Sequence, residues 1–141
     1  MSAGRPKITK QLVYEGLKHR VEVEVEEFPG YIFVLAPLTD AEFSEYRAAA
    51  LEGVDTSRFR GKRVDEVLED LDSIDLVKLV KAGDRAKHIA LAYSLSRGMG
   101  EKWTPEDVAN LPAGVPDKLF AKLDEICALT AKMRGEVRNF R

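Results

Sequence analysis

The sequence reads as mainly α with an N-terminal β-hairpin, an α+β fold built on a small bundle of four to five helices. Three observations point there. Val21-Glu22-Val23-Glu24-Val25-Glu26 alternates with a period of two, and Pro29-Gly30 separates it from the apolar run Tyr31-Ile32-Phe33-Val34-Leu35. From Thr39 onward the apolar residues recur at three and four. Between Asp84 and Arg97 they cover nearly the whole circumference of a helix, the mark of an element at the centre of a core.

The chain of 141 residues has the length of one domain, and it can bury a core without disulfides or metal. With 22 Lys and Arg against 24 Asp and Glu, its net charge of −2 lacks the basic excess of a dedicated nucleic-acid binder. The start, Met1 to Lys7, is basic and polar with no apolar stretch after it, so no signal peptide is expected. No apolar run is long enough to cross a bilayer. An intracellular, reducing compartment and a cytoplasmic location follow as expectations.

Taken in order, residues 1–20 form a basic, partly ordered arm, and a single globular domain occupies residues 21–133. The hairpin spans 21–35 and the helical body 39–133. Within the hairpin the first strand carries a charged outer face, and a two-stranded sheet must bury its apolar face on helices or on another subunit. Thr39 and Glu42 form a capping box that starts the first body helix, which carries Phe43, Tyr46 and Ala50 on one face and stops at Gly53. The polar loop 55–63 leads to a second helix from Val64, with Val67, Leu68 and Leu71 inside and Asp65, Glu66, Glu69, Asp70 and Asp72 outside. Ser73 interrupts it, and Gly83 closes the stretch from Ile74 to Val80. The central helix, Asp84 to Arg97, then ends at Gly98. Thr104-Pro105-Glu106-Asp107 supplies a cap, a proline at the first position and first-turn acids for a short helix ending near Leu111. Pro116 opens the last helix, with Leu119, Leu123, Ile126, Thr130 and Met133 on one face, and residues 134–141 form a flexible basic tail.

Catalytic equipment is sparse. His19 and His88 have no spacing relation that suits a metal, and Cys127 sits among apolar residues as a packed core thiol. The carboxylates from Asp65 to Asp75 have the spacing of a solvated helix face. Gly98-Met99-Gly100 follows a helix, whereas a phosphate or dinucleotide loop follows a strand. No catalytic, cofactor-binding or metal-binding residue is therefore assigned, no cofactor is expected, and the chain is not expected to be an enzyme.

Two features suit binding. The loop Arg58-Phe59-Arg60-Gly61-Lys62-Arg63 joins cations to an aromatic ring, as contact with nucleic acid or an ordering protein partner would use. The Tyr31 to Leu35 strand is apolar on both faces, and the open edges of its sheet can receive a peptide or a second subunit. Tyr31, Phe33, Phe59, Arg60, Lys62 and Arg63 are the candidate partner-binding residues, with self-association expected through the hairpin edge, no membrane contact, and nucleic acid a lesser candidate.

The order of elements, with Leu35-Ala36-Pro37-Leu38-Thr39 leading into the first body helix, Ser94-Leu95-Ser96-Arg97-Gly98 ending the central one, and Leu111-Pro112-Ala113-Gly114-Val115-Pro116 before the leucine-rich stretch 119–130, resembles the tail assembly chaperones of long-tailed bacteriophages and related prophages. The likeness runs from about Val21 to Lys132. Where members of that family end the last helix on a Leu-Ser-Gly-like or Leu-Asn-Gly-like step, this chain has Leu129-Thr130-Ala131. The resemblance implies a non-enzymatic protein that coats the tape-measure protein, helps recruit tail-tube subunits and is absent from the finished virion. In several members a frameshift adds a longer form. Other roles the residues allow are a structural tail or connector protein retained in the virion and a small nucleic-acid-binding regulator.

Overall fold

The computed structural model describes residues 4–52, 76–129 and 131–132. Its order is α1 (Lys10–Leu17), β1 (Val21–Val23), β2 (Phe33–Leu35), α2 (Asp40–Ala50), α3 (Leu76–Met99), α4 (Pro105–Ala109) and α5 (Val115–Cys127). A mainly helical chain with an N-terminal antiparallel hairpin is thus what the residues build. The expected helix from Val64 with its acidic face, the loop 55–63, the Gly53 stop, the Ser73 interruption and the tail 134–141 all lie outside the described residues.

β1 and β2 pair antiparallel, Val21 opposite Leu35, Glu22 opposite Val34 and Val23 opposite Phe33. Both are shorter than the alternating pattern predicts. After Val23 the chain leaves the ladder, and it reverses through Phe28-Pro29-Gly30-Tyr31, where the Tyr31 N–H donates to the Phe28 carbonyl at 3.2 Å. Gly30 takes φ +82°, the positive value a type II turn demands at its third position after proline.

α2 begins as the capping chemistry requires. Thr39 Oγ1 accepts the Glu42 N–H at 3.2 Å, and Glu42 Oε1 accepts the Thr39 N–H at 2.9 Å. α2 runs antiparallel to α3, as its side-chain ladder shows: Glu42 meets Arg97, Glu45 meets Tyr93 and Glu52 meets Arg85. Ala86, Ala90, Leu91 and Leu95 of α3 are fully buried, in agreement with its expected central place. They join Val23, Phe33, Leu35, Tyr46, Val108, Leu119, Leu123 and Leu129 in one hydrophobic cluster that draws on every element from β1 to α5.

Two boundaries differ from the sequence expectation. Gly83 does not close a helix; α3 passes through it without a break. A helical glycine costs only about 1 kcal/mol relative to alanine, which the tertiary contacts of a 24-residue central helix outweigh. Likewise Gly98 lies inside α3, and the left-handed residue after the helix is Gly100, at φ +72°. At the other end of the chain the expected single helix stops at Cys127, where Ala128 turns left-handed with φ +53°. Its N–H donates to the Asp124 carbonyl at 2.7 Å, and the turn delivers Leu129 into the core, 1% exposed. Of the expected face of that helix, Thr130 and Met133 are not described.

Candidate interaction surfaces

The last turns of α3 grip the strand that leaves the hairpin. The Ser94 hydroxyl, fully buried, donates to the Ala36 carbonyl at 2.7 Å and accepts the Ala36 N–H at 3.0 Å, so one side chain satisfies both backbone groups of Ala36. Arg97 donates to the Pro37 carbonyl and to Glu42 Oε2, each at 2.6 Å, and so ties the start of α2 to α3. Met99 Sδ accepts the Val34 N–H at 3.2 Å. Gly98 lets the Val34 carbonyl come so near that a Cβ there would stand 2.0 Å from its oxygen. A further link joins the strand's exit to α5, where Cys127 Sγ lies 3.5 Å from the Leu38 nitrogen. The segments 35–39 and 94–98, which carry much of the resemblance drawn above, therefore meet in space and form the joint of the fold.

That joint decides where the hairpin residues go. Phe33 is in the core, 8% exposed, with its ring edge-on to Phe28 at 5.8 Å and to Trp103 at 6.3 Å. As a candidate contact it is taken up by the chain's own packing, because β2 is held flat on α3 and its alternate residues, Phe33 and Leu35, face inward. Tyr31 is 75% exposed and Ile32 45% exposed, beyond the end of the ladder, so the outward apolar surface is the hairpin tip. Phe59, Arg60, Lys62 and Arg63 lie outside the described residues.

Sequence reasoning missed two surfaces. One is α1, within the arm expected to be only partly ordered. Thr9 caps it, accepting the Leu12 N–H at 3.2 Å, and Arg20 Nη1 donates to the Leu17 carbonyl at 2.7 Å near its end. None of its residues is buried, and Ile8, Leu12, Val13 and Tyr14 are all exposed. The signal available was Thr9 followed by apolar residues at helical spacing. The other surface is a groove of about 420 Å³ beside α3, walled by Ile89, Tyr93, Trp103 and Pro105 and flanked by Glu45 and Lys102. Ile89, Ala92, Tyr93 and Ser96 line it because they repeat at three and four along α3. The Ser96 hydroxyl accepts the Trp103 N–H at 2.8 Å and so fixes the loop that carries the indole. Tyr93 donates to the Glu45 carboxylate across the groove, and that bond, more than burial, raises the phenol's pKa above its ordinary value. No such groove is legible in the sequence, since its walls come from α2, α3 and the segment 102–105.

A smaller hollow of about 220 Å³ lies between the start of α2 and the Ala128 break, lined by Leu38, Phe43, Cys127, Leu129 and Lys132. The Cys127 thiol is buried there, and Lys132 Nζ lies 5.8 Å from the centre of the Phe43 ring. Among the described residues no three His, Cys, Asp or Glu side chains converge as a metal site would need, and no helix is long and apolar enough to cross a membrane. Comparison with family models, with curated proteins and with solved structures finds no match to this chain.

Proposed function

We propose that this protein is a tail assembly chaperone of the long-tailed phage type, a non-enzymatic protein that holds the tape-measure protein in the host cytoplasm, helps recruit tail-tube subunits and leaves before the virion is complete. One observation carries the reading beyond the resemblance. Every exposed large apolar residue among those described, Val80 apart, falls between Ile8 and Ile32. Among the described residues, the exposed apolar side chains are thus gathered on the arm and the hairpin tip, apart from the partly buried walls of the groove at Trp103. Exposed apolar side chains concentrated in this way mark interaction sites. Several modest patches also suit a holder of a long client, because repeated weak contacts add to a firm but reversible grip.

Co-expression with a candidate tape-measure protein, followed by affinity capture and size analysis, tests the proposal. A soluble complex is expected, and Tyr31→Asp with Ile32→Asp should reduce capture several-fold while leaving the fold intact. Failure to form any complex, with no gain in client solubility, overturns it. Mass spectrometry of purified particles separates the chaperone from a structural tail or connector protein, since only the latter is retained in the virion.

A further inference from the structure

α1 and the groove beside Trp103 are the two halves of an apolar contact that a single chain leaves open. At 100° per residue, Leu12, Val13 and Leu17 fall within about 140° of one another around the axis of α1. Lys10, Gln11, Tyr14, Glu15 and Lys18 occupy the rest of the circumference. Thr9 and Arg20 hydrogen-bond the two ends of the helix, which lowers the ordering cost of docking. The arm is basic: Arg5, Lys7, Lys10, Lys18 and Arg20 stand against Glu15 alone. The groove is apolar along Ile89, Tyr93, Trp103 and Pro105, its lining carries one acid and one base, and the acids adjoining its 102–105 wall in sequence tip the local balance negative. Glu45 lines it, exposed Glu101 and Glu106 flank Lys102 to Pro105 in sequence, and Lys102 is the single cation among the lining residues.

We propose that α1 of one copy seats its Leu12–Val13–Leu17 face in this groove of a second copy, so that the protein self-associates by exchange of its N-terminal arm. Charge complementarity between a basic arm and an acidic rim selects this occupant. The chain's own arm does not fill the groove, for Leu12 is 48% and Val13 51% exposed. Donor and receiver are different surfaces, so two copies either exchange arms reciprocally into a closed dimer or add head to tail into a longer assembly. The inference goes beyond the chaperone reading and does not depend on it: failure to capture a tape-measure protein leaves it untouched, and a monomeric chain leaves the chaperone reading untouched.

Sedimentation velocity of the full chain over a concentration series tests it, with emission from Trp103, the one tryptophan, as a reporter inside the groove. Mass should rise with concentration, emission should shift in parallel, and raising salt to about 0.5 M should weaken both, because screening reaches the arm–rim attraction. Leu12→Asp with Val13→Asp, at exposed positions, should lower the association constant at least about tenfold by removing apolar area from the contact. A chain with that arm and a chain with Ile89→Asp should each stay monomeric alone and form a heterodimer when mixed. Glu45→Lys, which spares the apolar wall, should weaken association several-fold even if Ile89→Asp does not fold. Three results overturn the proposal: a chain that stays monomeric throughout, association that ignores the arm substitutions, or a Trp103 emission that differs between wild type and the arm variant while both are monomers, which would place the arm in its own groove.

Discussion

A Cβ at Gly98 would stand 2.0 Å from the Val34 carbonyl oxygen and 2.7 Å from its carbon, both backbone atoms that cannot swing aside. At Gly83, in the same helix, it would meet nothing within 4 Å. The two glycines therefore answer the same substitution in opposite ways. Alanine is the better helix former by about 1 kcal/mol, and at Gly83 that gain stands alone, so Gly83→Ala should stabilise by about 0.5–1 kcal/mol. At Gly98 the gain is overtaken by overpacking that costs about 1–3 kcal/mol in ordinary cores and more against rigid backbone. Gly98→Ala should destabilise by at least about 2 kcal/mol net, read from urea denaturation midpoints of both variants. The pattern of residues cannot tell these glycines apart. Each looks like a helix stop, and what distinguishes Gly98 is a carbonyl from a strand far away in sequence. Ser94 carries the same lesson. In a helix dominated by Ala and Leu it looks like an incidental polar residue, yet it is the partner of two buried backbone groups.

Between elements, the contact best suited to a pH test is the one joining the hairpin loop to α5. Lys118 Nζ donates to Glu27 Oε1 at 2.9 Å and to Oε2 at 3.1 Å. That bond, ahead of any other influence, holds the Glu27 carboxyl below its usual 4.5, and Glu27 in turn raises Lys118 above its usual 10.5. The sign follows from linkage. A carboxyl depressed in the folded state contributes stability that is fully present above its unfolded pKa and is lost as pH falls through the folded one. A raised lysine contributes below its unfolded pKa, and that share is lost as pH climbs through the folded value. Lys118→Met should therefore show a shallower fall in Tm than wild type as pH drops below 4.5, and the two curves should run parallel near neutrality. Because both groups are solvent-exposed, the difference should be small and should shrink in salt. Equal slopes in acid would show that the pair does not form. No local pattern announces this contact, whereas the capping box at Thr39 with Glu42 and the cap, proline and acids from Thr104 to Asp107 each lie within four residues and are legible in the sequence; that Asp107 closes a second box is seen only in the structure. The ladder length was not legible. Alternation from Val21 to Glu26 describes which residues could pair, but α3 grips only the strand from Val34 onward, and pairing ends at Val23 opposite Phe33. Phe33 misleads for the same reason: a strand apolar on both sides reads as having a spare face, and here Phe28 and Trp103 cover its ring.

Across the molecule, the core is unevenly supplied by the two ends of the described chain. The buried cluster starts at Val23 and extends to Leu129, while α1 adds no buried residue to it. Arg20 spends its hydrogen bonds on the carbonyls of Leu17 and His19, within the arm itself. Removing residues 1–20 should thus change the free energy of unfolding by no more than about 0.5 kcal/mol, the range of surface changes away from special features. Leu129, by contrast, reaches the core only through the left-handed turn at Ala128 and is 1% exposed. Leu129→Ala should cost about 2–4 kcal/mol through lost burial and the cavity left behind. Urea denaturation of the two variants reads both effects, with far-UV circular dichroism confirming that each folds. The comparison bears on function as well as stability. An arm that folding does not need, yet which carries most of the exposed large apolar side chains among the described residues, is free to bind, and its deletion should abolish self-association without moving the denaturation midpoint measured at a concentration where the wild type is monomeric. Should deletion instead lower stability by more than about 1 kcal/mol, well outside the range for surface changes, the arm would belong to the core, and the exposed face of α1 could not serve as a docking surface.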